Sequence, residues 1–288
     1  MEKLKEKGLA DKSIKLYMTI LKGLNDKREV RNLKFLENPK KILDKIKDYK
    51  PTTQRNVLIA IVSILKNLGN DGYKLYYDKM IEMNKEIEDN NKNNVKTETQ
   101  KENWIKWDDV ENKFNELVKK LKGSKNISED GYNNYLDTVI LGLYVLLPPR
   151  RNVDYLTMKV STDGNKDDKY NWLDLKKKQF IFNNYKTKKS FGQQIIDIPK
   201  DLMDLIKKYL KYKKDGEGYL LVKFSGERLK SDNAITRRLN KIFGKNISSS
   251  MLRHSYLTSK YGKVQEEMKA DAEAMAHSVK QQKDYIKN

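Results

Sequence analysis

Through residues 8–90 apolar positions recur three and four apart, the period of helices that bury one face. Leu9, Ile14, Leu16, Tyr17, Ile20, Leu21 and Leu24 make one stripe, with Asp11 or Ser13 as the cap. Helices are expected next over 39–49, over 51–68 and over 73–87. The third of these buries Val57, Ile61, Ile64, Leu65 and Leu68 and stops at Gly69-Asn70. Together the four predict a compact helical bundle. Residues 89–100 have almost nothing to bury and read as an exposed linker, which puts a domain boundary near residue 95: residues 1–94 and 95–288.

Beyond the linker the pattern resumes at Trp104-Ile105-Lys106-Trp107, where Asp108 is placed to cap a helix to about residue 121. A long helix is expected over 133–147, ended by Pro148-Pro149 because proline cannot donate to the helix ladder. After Met158 the texture changes. The runs 172–175, 179–182 and 194–199 are short and β-prone, and predict a small antiparallel sheet. Helices return over 201–212 and 231–243, and again from Ser248, with Gly262 as the stop of that last one. The fold class is mainly α with a small antiparallel β-sheet.

Charge then narrows the partners. Lys and Arg number 60 against 40 Asp and Glu, a formal charge of +20 that suits a polyanion, nucleic acid first. No apolar run approaches the roughly 20 residues of a spanning helix, so no membrane partner is expected. The first residues lack the apolar core of a secretory signal, and cysteine is absent. The expectation is an intracellular protein, in host cytoplasm, nucleus or viral factory. With no thiol and only two His residues, neither thiolate catalysis nor a Cys-ligated metal is available; no metal and no cofactor are expected.

Four stretches could carry chemistry. In Pro148-Pro149-Arg150-Arg151-Asn152-Val153-Asp154-Tyr155, Asp154 lies three residues beyond Arg151 and is placed to orient that guanidinium, whereas Arg150 lacks this spacing. Taken alone, the stretch reads as a surface ion pair. Lys186, Lys188 and Lys189 sit between two strand candidates, at a hairpin tip that alone is a solvated charged loop. Arg253 falls at the edge of a stripe formed by Leu252, Tyr256 and Leu257, beside His254, which in such a place is usually a packing residue. His277 and Tyr285 close the chain, Tyr285 being one of 17 tyrosines. A phenol, arginine forks and a lysine suit phosphodiester strand transfer, as nucleophile, oxygen clamp and proton donor.

In order and approximate separation, Arg151, Asp154-Tyr155, Tyr185-Lys186-Thr187, Leu252-Arg253-His254, Met275-Ala276-His277 and Tyr285 resemble the tyrosine recombinase (integrase) pattern of Arg, Lys, His-x-x-Arg, His/Trp and Tyr. The Pro-Pro-Arg-Arg-Asn-Val-Asp-Tyr form is similar to recombinases of virophages and other large DNA viruses or mobile elements. The resemblance implies a helical core-binding domain followed by an α+β catalytic domain, acting on double-stranded DNA as a homo-oligomer, a tetramer on two sites. It implies a site-specific DNA recombinase or integrase, independent of metal and ATP, in which Tyr285 forms a 3′-phosphotyrosyl link. Arg151 and Arg253 would clamp the phosphate, Lys186 (or Lys188) protonate the 5′-oxygen and His277 hydrogen-bond the phosphate, with Arg150, Asp154, Ser250 and His254 in support. Lys12, Lys15, Arg55 and Lys189 are the expected DNA contacts. Two departures stand out: Ser250 occupies the position of the family's first His, and the step from His277 to Tyr285 is one residue shorter than is common. A type IB-like topoisomerase and a non-catalytic DNA-binding relic are the alternatives.

The charge surplus makes a direct prediction. Binding to a random duplex should weaken by about 10³–10⁵ between roughly 50 and 200 mM salt, as for six to ten neutralised phosphates. Anisotropy titrations that show no salt dependence would remove the polyanion from consideration.

Overall fold

In the computed structural model, residues 2–92, 96–123, 127–162, 167–231 and 233–286 are described. The chain forms two compact units, Met1–Lys96 and Thr97–Asn288. The boundary expected near residue 95 lies outside the described residues.

The first unit contains helices α1 (Glu2–Glu6), α2 (Asp11–Leu24), α3 (Pro39–Ile46), α4 (Pro51–Asn67) and α5 (Lys74–Lys92). The predicted stripes supply its core: Ile14, Leu21 and Leu24 meet Val57, Ile61, Ile64 and Leu65, with Tyr76 and Met83 from α5. Leu16 and Leu68, expected inside, are exposed. Neither Asp11 nor Ser13 caps α2; Ala10 precedes it, and Asp11 is its first residue, paired with Lys5 at 2.8 Å. The Tyr76 hydroxyl donates to the Leu36 carbonyl, and Arg55 donates to Asn84, tying α4 to α5. Arg55 is therefore half-buried in a structural bond, while Lys12 and Lys15 face solvent. Much of the stretch read as a linker is helical: α5 runs to Lys92, and α6 (Glu98–Asn103) opens on a reciprocal Thr97–Gln100 capping box. A polar sequence with no apolar face is compatible with helix where caps satisfy the end groups locally.

The second unit is organised around α8 (Glu129–Val145), which starts at a Ser128 cap and is buried on every side from Tyr135 to Tyr144. A helix apolar all round belongs at the centre of a domain. Around it pack α7 (Trp107–Lys120), α11 (Lys200–Leu210) and α12 (Ala234–Phe243). Gly142 permits the close approach, since a Cβ there would lie 3.1 Å from Phe114 and 3.2 Å from Leu205. Asp108 caps nothing; it sits in the first turn of α7 behind Lys106. The Tyr132 and Tyr209 hydroxyls lie 3.0 Å apart and donate onward to the carbonyls of Val222 and Leu220. Burial raises the pKa of both phenols, so they remain neutral donors.

The sheet departs from expectation. It has four strands in the order β1-β2-β3-β4, and β1 (Met158–Ser161) pairs in parallel with β2 (Asn171–Asp174), so it is mixed rather than antiparallel. β2, β3 (Gln179–Phe182) and β4 (Gln194–Asp197) pair antiparallel, as the β-prone runs suggested. Met-Lys-Val-Ser lies outside the β-prone runs, and its strand forms by pairing with β2 and a bridge from Lys159 to Tyr219. Between α8 and β1 lies the short helix α9 (Asn152–Leu156), and between β3 and β4 a single turn, α10 (Lys188–Phe191).

The last helices correct a further expectation. Gly262 does not end a helix: α13 runs unbroken over Ser249–Ala274, and α14 (Val279–Tyr285) follows. Gly262 keeps a helical backbone between good helix formers, and the left-handed residue that ends α13 is Ala276, at φ 56°. Leu257, expected inward, is half exposed.

Across the domain centre, Arg238 of α12 donates to Asp137 of α8 at 2.6 Å and to Asn133 at 2.8 Å. Asp137 is buried, and burial raises its pKa against the pull of Arg238. Asp137→Ala should therefore cost roughly 3 kcal/mol in urea unfolding, because it strands a largely buried guanidinium. Asp137→Ala combined with Arg238→Leu should recover most of that loss. A single-variant cost within 0.5 kcal/mol, on the order of an exposed pair, would contradict this.

Candidate functional site: an arginine pocket at the start of α13

Three separate stretches of sequence meet at one cavity of about 230 Å³. Pro149, Arg150, Arg151 and Asp154 come from α9 and the turn into it, Tyr185, Thr187, Phe191 and Gln194 from the β3–β4 connection and the start of β4, and Arg253 from the first turns of α13. The two arginines singled out from distant parts of the sequence, Arg151 and Arg253, thus line the same pocket.

Arg150 is the most constrained of the cations. Its guanidinium lies 3.8 Å from the centre of the Phe182 ring and 5.2 Å from that of Tyr185. Its Nε donates to Asp154 at 3.0 Å and a terminal nitrogen donates to Gln194 at 2.7 Å. The ion pair expected between Arg151 and Asp154 is therefore made by Arg150 instead. Arg151 precedes the first helical turn and has an extended backbone, φ −75° and ψ 147°, so the i, i+3 relation of a helix face does not apply to it. Its side chain remains half-exposed at the pocket.

Arg253 is held from its own helix. Nε donates to the Ser249 carbonyl at 3.2 Å, and a terminal nitrogen donates to the Ser250 hydroxyl at 3.0 Å. Ser250, in the position where a base was sought, thus serves as an acceptor that orients Arg253. Burial and the nearby Arg151 charge both push the Arg253 pKa down. A guanidinium remains protonated regardless, and the direction records two cations held close without enough negative charge between them. The one carboxylate, Asp154, is 2% exposed, and its Oδ1 has no hydrogen-bond partner among the described residues. Its desolvation outweighs Arg150, Arg151 and Arg253 and raises the carboxyl pKa.

The loop opposite is fixed by Asn171, which is fully buried. Its amide nitrogen donates to the carbonyls of Asp154 and Asn184, and its oxygen accepts from the amides of Asn183 and Asn184, all between 2.8 and 3.0 Å. The side chain thereby ties α9 to the segment that leads into Tyr185 and Lys186. Nothing in the sequence marks Asn171, Gln194 or Phe191 as part of a site; only the pairing of strands brings them there. Lys186, Lys188 and Lys189 are exposed beside the pocket and do not line it. His254 is exposed on α13 rather than packed.

His277 and Tyr285 are elsewhere. Their rings stack with centroids 5.8 Å apart, and Met275, Gln282 and Ile286 complete a shallow apolar hollow around them. The His277 amide donates to the Ala272 carbonyl. Because α13 is continuous, Ala272 lies about 28 Å along its axis from Arg253 at 1.5 Å per residue. Tyr285 is 76% exposed at that far end.

Among the described residues no helix is long and apolar enough to cross a membrane, and no cluster of three His, Cys, Asp or Glu residues has the arrangement of a metal site. No family model matches this chain, and no curated protein matches it. Among solved structures, the crystal structure of XerA recombinase aligns with 90% of this chain and 80% of that one, at 15% identity and a TM-score of 0.37.

The pocket's uncompensated charge makes it an anion site in expectation. Phosphate or sulfate should raise the melting temperature of the full chain, and the Arg151→Ala, Arg253→Ala double variant should lose that increment; at 100 times the Kd the stabilisation is about 2.7 kcal/mol. An increment equal in wild type and variant would place the anion somewhere else.

Proposed function

We propose that this protein is a DNA strand transferase of the tyrosine recombinase type, acting as a homo-oligomer on double-stranded DNA. The observation that carries this reading is the convergence of Arg151 and Arg253, far apart in sequence, on one pocket beside the Arg150–Asp154 pair. Three guanidinium groups around one carboxylate leave two surplus positive charges. A phosphodiester carries one negative charge and gains a second as a hydroxyl adds to phosphorus, so this surplus favours the transition state over the ground state. Arginine forks match the paired non-bridging oxygens, and Arg150, held by Asp154 and Gln194 through two of its five N–H donors, serves as support.

In the proposed reaction the Tyr285 oxygen forms a bond to phosphorus as the bond to the 5′-oxygen breaks. The product is a 3′-phosphotyrosine and a 5′-hydroxyl that takes its proton from Lys186 or Lys188 on the adjoining loop, while the phenol proton of Tyr285 passes to water, from which the lysine is reprotonated. The phosphoester bond is exchanged rather than hydrolysed, so rejoining needs no nucleotide energy. Tyr285 reaches the pocket only after the chain beyond Ala274 is repositioned, within one chain or from a second copy, since it lies at the other end of α13. His277 travels with it, stacked on the ring.

That same separation favours a second reading, DNA binding without cleavage. One experiment divides them: incubation with a pool of nicked suicide duplexes, followed by denaturing electrophoresis. The strand-transfer reading expects a covalent protein–DNA adduct from wild type, none from Tyr285→Phe, and a loss of about 10²–10³-fold from Arg253→Ala, as for removal of a transition-state donor. Binding without any adduct would leave only the second reading.

A further inference from the structure

Phe191 stands 66% exposed on the wall of the arginine pocket, whereas the pocket's other ring, Tyr185, is 8% exposed. Single apolar side chains dot most protein surfaces without purpose, so exposure alone carries no weight. The setting of this one does. The cavity it shares with Arg151 and Arg253 measures about 230 Å³. That is room for about seven or eight water molecules, more than the five heavy atoms of a phosphate group fill.

The turn that carries the ring is also held in place. Phe191 ends α10, its amide bonded to the Thr187 carbonyl at 3.2 Å. Gly192 follows in a left-handed conformation, φ 65°; its amide donates to Lys188 and its carbonyl accepts from the Tyr185 hydroxyl at 2.7 Å. A ligand that meets a ring on so fixed a turn has little ordering left to do. Around the ring, Lys186, Lys188 and Lys189 are exposed. Cations beside a bare aromatic face suit a polyanion that itself carries flat apolar faces; an acidic protein surface would answer the lysines and leave the ring in water.

We propose that Phe191 is a stacking platform for the nucleobase next to the phosphate held by Arg151 and Arg253, so that the pocket takes a nucleotide unit and not a phosphate alone. This rests on the functional reading above only in requiring a backbone phosphate in the pocket; it does not require Tyr285. A base reaches the ring only when it is out of the helical stack. The site therefore prefers a single strand, a nick or a strand end to continuous duplex.

The test uses the full chain, a short single-stranded oligonucleotide carrying 2-aminopurine, whose fluorescence is quenched on stacking, and an abasic strand of the same length. Wild type should bind the base-bearing strand about tenfold or more tighter than the abasic one and change its emission. Phe191→Ala should abolish that difference while leaving the abasic affinity unchanged, and Phe191→Tyr should restore it. The proposal is overturned if Phe191→Ala weakens both strands equally, which marks a disturbed loop, or changes neither, which marks a ring that faces solvent or a protein partner. Wild type that binds neither strand overturns this proposal and leaves the duplex reading to its own test, the covalent adduct. Failure of strand transfer alone would appear as a missing covalent adduct and would leave these affinities intact.

Discussion

Three guanidinium groups are gathered around one buried carboxylate, and the second unit is built to hold them there. Left to themselves, Arg150, Arg151 and Arg253 would separate. Asp154 neutralises one of them, but its own burial is costly, and its second oxygen has no partner among the described residues. Such an arrangement persists only where the surrounding structure determines it independently. Here Arg150 is stacked on Phe182, Arg151 follows a rigid Pro-Pro pair, and Arg253 is bonded to the first turn of its own helix. The unmet charge is what the pocket offers to a ligand.

Each support traces to a core feature. The burial of α8 on all sides places Pro148-Pro149 at the edge of the core, so the arginines emerge where the helix must stop. α13 is anchored at its start by its Ser248 cap and by the Ser255 hydroxyl, which donates to the Ile105 carbonyl at 2.7 Å, while Tyr256 meets Trp107 edge to face. Asn171 joins α9 to the lysine loop through four hydrogen bonds from one buried side chain. Its amide has no capacity left over, so the spacing of the two walls is set by covalent geometry.

One helix, α13, joins the two parts of the proposed chemistry and also separates them. α13 begins in the core at Arg253 and ends in solvent, with Leu257, Tyr261 and Val264 about half exposed along its length. At its far end Tyr285 and His277 cover one another. For Tyr285 to serve as the proposed nucleophile it must leave this end for the arginines, so the proposed reaction turns on a change of position.

Local physics made much of this readable from the sequence. The helical stripes of the first unit, the stop at Pro148-Pro149, the strands over 179–182 and 194–197 and the Ser248 cap all depend on neighbours a few residues away, which a linear pattern records. The sequence likewise singled out Arg151 and Arg253, and they share a pocket. What it misjudged depends on distant partners. It paired Asp154 with Arg151 by helical spacing, whereas the Phe182 ring and Gln194, brought in by the sheet, draw Arg150 into that pair. It ended α13 at Gly262, although a glycine terminates a helix only when its backbone turns left-handed, and here Ala276 does so. It could not see β1, whose strand exists only through its neighbours, nor Asn171 and Phe191, whose places follow from strand pairing. The sequence by itself determined which charges and rings are available and most of the helices that carry them. Only the tertiary structure decided which charges meet, because that choice is made by packing between segments whose order along the chain holds no record of their distance in space.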